Sequence, residues 1–492
     1  MRRIAIILLA ATLLLCDDTP APPAIAPDGV WNSVSQVPPS LPAGAIARGA
    51  RIAITGVRLS PKPTVTLNGA PLAILSAAPR RIEAVIPETA EPGPARLIVT
   101  TAAGASEPYA LDVAASGFGF NASIQGDATP GGSLTVEGSG AGAADLDLFI
   151  GGKRASVLAV KLKEPGLYTV TAQAPRDAPP GCFVPVSGRS RTTGRPTNFT
   201  AARIHAPNEP CHDQVDWFRD TVEHATSAGV VALARITLLL GEKDEYVFDY
   251  GLASFARQES GNRPFPPFPP FGTCTGFTER VNLRETMARR GIAAEWPEVA
   301  KPAPGNRVLK PGPLDLAHGG RAIVLARAGV IGGRAPLEHT PPAPLFLTPG
   351  RIRISSKGTA EVGAFESEIT ATTPISWRNR RDLAEVARAS GATVEWKAAR
   401  KDDAVLIVAV SAEERNGDSA MCLCMAQAAA GRFQIPAQAL ANLPVSDPAE
   451  PDLSYMLLLE VPASPPTPVT ARGIDTAFAA FVSASVRETS FR

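Results

Sequence analysis

At 492 residues the chain is too long for one ordinary core, so several domains are expected. Its 48 prolines and 42 glycines exceed the usual share and favour many turns over long helices, while a hydrophobic fraction of 45% is enough to fill cores and argues against disorder. Lys plus Arg at 48 almost cancels Asp plus Glu at 47, leaving a formal charge of +1, and no clustered basic surface of the kind a nucleic-acid partner requires is visible.

The chain opens with Arg2 and Arg3 followed by the run Ile4 to Leu15, apolar except for Thr12. So short a run reads as a signal peptide rather than a membrane span, and no later segment is apolar enough to span. Residues 1–26 are therefore assigned to a signal peptide and leader. Cys16 directly follows the apolar run and is a candidate lipidation site, although Leu15 stands where a lipoprotein signal carries a small residue. Export implies a secreted or cell-envelope location and an oxidising compartment, which makes Cys182, Cys211, Cys274, Cys422 and Cys424 disulfide candidates. Five is odd, so at least one is left over. Cys422 and Cys424 form a CxC, which on a strand puts both on one face; no pair has zinc-ribbon spacing, and no metal or cofactor is expected.

The stretch Ala26 to Ala45 lacks periodicity and reads as an extended leader. From Gly49 onward short β-rich runs follow one another: Ile52 to Thr55, Thr64 to Leu67, Ile82 to Ile86 and Ala95 to Thr100. Asn68-Gly69 between two of them predicts a hairpin with positive φ angles. The layout then recurs from Gly131 to about Ile204. Ile54-Thr55-Gly56 corresponds to Val136-Glu137-Gly138, and Asn68-Gly69 corresponds to Gly151-Gly152. Pro87 precedes Gly93 by the spacing at which Pro175 precedes Gly181. Two copies are too few for a solenoid, so each must close its own core.

The segments "GARIAITGVRL", "PTVTLNGAPLAILSAAPRRIEAVIP" and "PGPARLIVTTAAG" make the first copy resemble the IPT/TIG family of immunoglobulin-like domains, on Gly56, Asn68, Gly69, Pro87 and Gly93. The resemblance implies that Gly56 opens a turn after the first core strand. The second copy is similar but lacks the hairpin Asn and carries the longer "KLKEPGLY". The family implies a fold rather than a reaction. The expected architecture is all-β, a tandem of immunoglobulin-like sandwiches: an IPT/TIG domain over 45–115, a second over 117–206, a third sandwich with a Pro-rich loop over 212–372, and an immunoglobulin or fibronectin-III-like domain over 373–492.

In the third, Gly229 to Leu240 and Phe248 to Ala256 read as strands, Arg263 to Gly272 ("RPFPPFPPFG") as an extended structural loop, and Arg284 to Ala293 as one short helix. In the fourth, Val394-Glu395-Trp396, Ala404 to Val410, Arg432 to Ile435 and Tyr455 to Val461 read as strands, with Trp396 as a core residue by fold-level analogy.

Chemistry-bearing motifs are sparse. The five histidines form no HExxH or HxH pair, and Cys211-His212-Asp213 is a cluster in sequence only. Cys182 begins the penultimate strand of the second sandwich and Cys211 lies just beyond its last, so a Cys182–Cys211 disulfide is expected. Gly138 to Gly142 lacks GxGxxG spacing and a following lysine, and reads as an inter-strand turn. Asp145 and Asp147 share one strand face, as a solvated edge or, less simply, a calcium site. No catalytic residue is assigned. The expected function is that of an exported non-catalytic protein binding an unknown protein or carbohydrate ligand through sandwich loops. A structural spacer of the cell envelope and an exported hydrolase with its site in the third or fourth domain are the alternatives.

Overall fold

A computed structural model describes residues 21–212, 225–258, 268–279, 306–336, 342–413, 417–446, 454–462 and 466–492. The signal segment with Cys16, the short helix expected over Arg284 to Ala293 and the first part of the Pro-rich loop lie outside these residues. Among the described ones the chain is almost entirely β.

The first sandwich faces the sheet Ala24–Asn32, Arg51–Val57, Arg81–Val85 and Ala73–Ala78 against a second built around Thr64–Leu67, Gly93–Thr101 and Tyr109–Val113. Alternation decides which residues meet. Val30, Ile52, Ile54 and Ile82 from one layer pack on Val65, Leu67, Leu97 and Val99 from the other. Asn68 and Gly69 take φ values of 48° and 83° in a two-residue turn that joins Leu67 to Ala70. Such a turn matches strand twist, and the Asn side chain tolerates the left-handed region better than most. Gly151 and Gly152 repeat it in the second sandwich, at 59° and 75°.

The repeated glycines Gly56 and Gly138 have a different role from the turn implied by the family resemblance. Both lie inside strands, Arg51–Val57 and Ser133–Ser139, and neither has positive φ. A Cβ on Gly56 would stand 2.0 Å from the Ala24 carbonyl oxygen, and one on Gly138 would stand 2.4 Å from the Phe118 ring. Each glycine therefore lets a preceding edge segment of its own sandwich approach closely.

The second sandwich is one eight-stranded sheet folded over itself. The strand Lys153–Glu164 makes the corner. Its first residues pair with Leu146–Ile150, and Ser156 onward pairs with Leu167–Gln173, with register shifts between Val157 and Ala159 and between Leu162 and Glu164. Leu134, Val136 and Val170 then meet Leu148, Ile150, Val184 and Val186 across the core.

Beyond residue 225 the structure departs from the expected division. Strands from both sides of the expected 372/373 boundary belong to one ten-stranded sheet: Ser227–Leu240 pairs in parallel with Thr476–Glu488, and Thr273–Glu279 pairs with Ser419–Gln427. The third and fourth domains are thus not separate sandwiches. The reason is physical: alternation specifies which face of a strand is buried, not which strand lies beside it. One face of this sheet carries two smaller sheets. The four-stranded one, from Leu314 to Ala371, packs on Val231, Leu233, Phe255 and Ala479. The three-stranded one, with Trp377, Val394 and Trp396, packs on Val405, Ile407, Cys424 and Leu458.

The expected leader is also structured. Ala24–Asn32 is an edge strand of the first sandwich, and Val37, Leu41 and Ala43 are buried in the same core as Trp377 and Trp396. Ser40 donates to the Asp418 carboxylate at 2.9 Å. Phe199 of the second sandwich belongs to that core too, and its ring lies where Gly276 leaves room.

Charged groups sit within the large sheet. Asp249 is fully buried, directly opposite Arg235, and the two form an ion pair. The Asp249 carboxylate also accepts from the backbone amides of Phe346 and Leu347 at 2.6 and 2.8 Å, while Arg235 donates to the Leu347 carbonyl at 3.0 Å. The pair thus fastens the segment leading into Gly350–Ser356 onto the sheet. Glu460 is buried as well, and accepts from Ser483 and from the amides of Ala399 and Arg400. Burial is the main cause that holds its carboxyl above the ordinary value of 4.5.

Asp249→Asn should cost about 3–5 kcal/mol in chemical denaturation, because it strands a buried guanidinium. Replacing both partners by apolar residues should recover only part of that loss, since the Phe346 and Leu347 amides would still lack an acceptor. For Glu460 the folded state favours the protonated form. The wild type is therefore penalised progressively as pH rises above 4.5, and the penalty vanishes below it. Glu460→Gln should gain thermal stability relative to wild type as pH climbs from 4.5 towards 8, with the difference flat in acid; a difference independent of pH would contradict this.

Candidate functional site

A cleft of about 1470 Å³ lies where the three parts of the chain meet. One wall is the last strand of the first sandwich, from Tyr109 to Ala114, together with the docked segment Pro39 to Ile46. A second is the turn of the second sandwich that carries Arg189 and Arg195. The third comes from the C-terminal half, with Arg388, Glu413, Val445 and Arg492. Local chemistry shapes each wall. Arg189 donates through Nε to the Gly194 carbonyl at 2.9 Å, which braces the turn, and Ser190 accepts at its hydroxyl from the Thr193 amide. Arg388 donates to the Leu443 carbonyl, while its buried Nε has no hydrogen-bond partner. Burial lowers the pKa of Arg388 from its ordinary value. Arg492 pairs with Glu385 at 3.1 Å.

The cleft thus offers guanidinium groups, backbone polar atoms and an aromatic ring. Among the described residues its side-chain carboxylates are Asp112 and Glu413, and neither histidine nor cysteine lines it. Such a lining suits recognition by hydrogen bonds and apolar contact.

The residues singled out in the sequence lie elsewhere. Cys182 and Cys211 are joined by a disulfide, with Cα atoms 5.1 Å apart, which ties the segment after Thr200–Ile204 to the start of Gly181–Ser190. Asp213 lies outside the described residues, so the Cys211-His212-Asp213 cluster reduces to a bonded cysteine and His212. Asp145 accepts from the Ser190 hydroxyl and the Thr192 amide, and bonds to Thr192 hold its carboxyl below the usual value. Asp147 pairs with Arg154. Both carboxylates are therefore engaged within the fold rather than presented together to a cation.

In the glycine run the Ala141 amide donates to the Arg48 carbonyl and a Cβ on Gly142 would strike Ser116, so the turn packs between the two sandwiches. His318 is held by the Arg351 carbonyl and the Thr348 hydroxyl. Trp396 is buried and donates to the Ala428 carbonyl at 3.0 Å.

Among the described residues, one cluster brings metal-type ligands together. The Sγ atoms of Cys274, Cys422 and Cys424 lie within 4.8 Å of one another. Cys274 and Cys424 are disulfide-bonded and Cys422 is a free buried thiol, so the CxC does not present two thiolates. The sequence held a signal for the CxC face, but none for Cys274, which arrives from another strand.

Comparison with known proteins bears on the first sandwich. Residues 33–112 match the IPT/TIG domain. That TIG segment includes the Asn68-Gly69 hairpin and Tyr109 on the cleft wall. No curated protein matches the chain in sequence. Among solved structures, the SGBP-B protein of the Bacteroides ovatus mixed-linkage glucan utilization locus, in complex with a mixed-linkage heptasaccharide, is similar at 16% identity, over 48% of this chain and 69% of that one, with a TM-score of 0.24. A titin tandem of immunoglobulin domains is similar at 15% identity over 33% of this chain and 91% of its own, with a TM-score of 0.15. Sidekick-1 immunoglobulin domains 1–4 align at 10% identity over 89% and 96%, with a TM-score of 0.14. No described helix is long and apolar enough to cross a membrane.

The Cys182–Cys211 link closes a loop of separation 29. Replacing both cysteines by Ser should lower stability by about 3 kcal/mol, read as a drop in the denaturation midpoint relative to the oxidised wild type.

Proposed function

We propose that this chain is an exported, non-catalytic binding protein, and that its ligand, a protein or a carbohydrate, occupies the cleft enclosed by the TIG segment, the Arg189–Pro196 turn and the C-terminal half. The observation that carries this reading is the cleft itself. It is built by three parts of the chain that are fastened together by specific contacts, which gives a preformed concave site with guanidinium donors on its walls. Planar guanidinium groups donate in a fixed fork, and suit carboxylate, carbonyl and hydroxyl oxygens on a ligand.

Two other roles fit less well. A spacer needs modules that set reach along a line, whereas Val37, Leu41 and Ala43 pull the first sandwich against the C-terminal half. A hydrolase needs convergent acid and base groups, and among the described residues the cleft lining supplies the two carboxylates of Asp112 and Glu413 without a histidine or cysteine beside them. Disulfides accord with export, and the lipid anchor at Cys16 belongs to the same proposal.

The test is binding of the processed protein to a glycan array and to envelope-protein fractions, followed by titration of each hit against a variant with Arg195→Ala and Tyr109→Ala. Saturable binding weakened at least about tenfold by the double substitution, a loss of roughly 1.4 kcal/mol, is the expected result. Binding unaffected by those changes would move the site elsewhere, and no binding to either panel would favour the spacer.

A further inference from the structure

The edge strand Thr273–Glu279 pairs with Ser419–Gln427 so that Cys274 stands directly opposite Cys424, and Gly276 directly opposite Cys422. Cys422 therefore faces a residue without a side chain, and the Phe199 ring fills the room above Gly276. Cys274 is the diagonal neighbour of Cys422 on the same face, within the reach of cross-strand side chains. All three sulfurs lie within 4.8 Å, and the Cys422 and Cys424 Sγ atoms are 3.7 Å apart. A second observation concerns access. A cleft of about 360 Å³, between the Gly151–Lys153 turn and the segment from Phe433 to Ala439, has Cys274 in its wall but neither Cys422 nor Cys424.

We infer that Cys274, Cys422 and Cys424 form a thiol-exchange site, entered at Cys274 by a low-molecular-weight thiol, at which the disulfide moves from Cys274–Cys424 to Cys274–Cys422. The incoming thiolate attacks the Cys274 sulfur, forms a mixed disulfide there, and releases Cys424 as a thiolate. The Cys422 thiol passes its proton to that neighbouring thiolate and attacks Cys274 in turn. The small thiolate is expelled, the new bond is Cys274–Cys422, and the net reaction consumes neither oxidant nor reductant.

Geometry explains why an outside thiol is needed. Direct attack by Cys422 on Cys274, in line with the bond to Cys424, would set the outer sulfurs Cys422 and Cys424 roughly 5.5 Å apart, whereas they lie 3.7 Å apart. Burial also pushes the Cys422 thiol up to about 12, so its thiolate is scarce at neutral pH until a base forms beside it. The released Cys424 thiolate is that base. Either pairing ties the edge strand to the sheet, so the exchange shifts a cross-link by two residues without freeing the strand.

The experiment uses the full chain, incubated at mildly alkaline pH with reduced glutathione, acid-quenched, alkylated and mapped without reduction. Fragmentation at Leu423 separates Cys422 from Cys424, and the Cys182–Cys211 pair serves as internal control. The expected result is a Cys274–Cys422 linkage that appears with glutathione and is absent without it, and a Cys424→Ser variant in which Cys274 bonds to Cys422. Recovery of Cys274–Cys424 alone, with every Cys422 alkylated, from glutathione-treated protein that circular dichroism shows to be folded would overturn the inference. A folded Cys424→Ser protein in which both remaining thiols stay free under oxidised glutathione would do the same.

Discussion

The parallel pairing of Ser227–Leu240 with Thr476–Glu488 is the constraint on which the C-terminal half depends. Parallel neighbours cannot be joined by a tight turn, so everything between them has to be accommodated as one long excursion. That excursion supplies the rest of the ten-stranded sheet and both smaller sheets that cover it. The cores on either side of the junction cannot close independently. Phe481 and Ala479, from the last long strand, pack with Val231 and Phe255 from the first two, while the next strand over, Ser454–Val461, sends Met456 and Leu458 into the neighbouring core. Because such contacts lie far apart in sequence, their loop-closure cost is met only when the last strand arrives.

Where the two cores meet, the sheet face turns polar. Ser483, Ser485 and Arg487 on the last long strand, with Glu460 beside them, are all buried, and Arg380 donates to Ser485 and pairs with Glu245. The buried Arg235–Asp249 pair belongs to the same strip. A polar strip between two apolar cores, hydrogen-bonded except at the Arg487 Nε, specifies register, because a slip by one residue would present these groups to hydrocarbon.

Local signals in the sequence were readable and distant partnerships were not. Asn68-Gly69 and Gly151-Gly152 announce their hairpins because positive φ is a property of the residues themselves. The apolar run Tyr455 to Val461 likewise reads as a strand, and in the structure its burial alternates. It does not show that the neighbours of this strand are Ala404–Ala412 and Thr476–Glu488, and so the two C-terminal sandwiches expected from the sequence prove to be one unit. The segment Val37 to Ala43 was unreadable for another reason, since three apolar residues among prolines have no period. Its burial depends on a core supplied from hundreds of residues away. Arg235 did leave a trace, as the one charge in Ser227–Leu240, whereas Asp249 shares its strand face with Glu245 and Arg257 and does not stand out. The cleft left none, because its walls come from three distant stretches and no single one carries a motif.

The docking of Val37, Leu41 and Ala43 has an evolutionary corollary. Tandem sandwiches usually behave as interchangeable beads that recombination can add, drop or reorder. Here the first residues of the TIG segment double as filling for a core built near the other end of the polypeptide. Deleting or swapping the first unit would strip Val37, Leu41 and Ala43 from the core that also holds Trp377 and Trp396, which disfavours exchange of that unit alone.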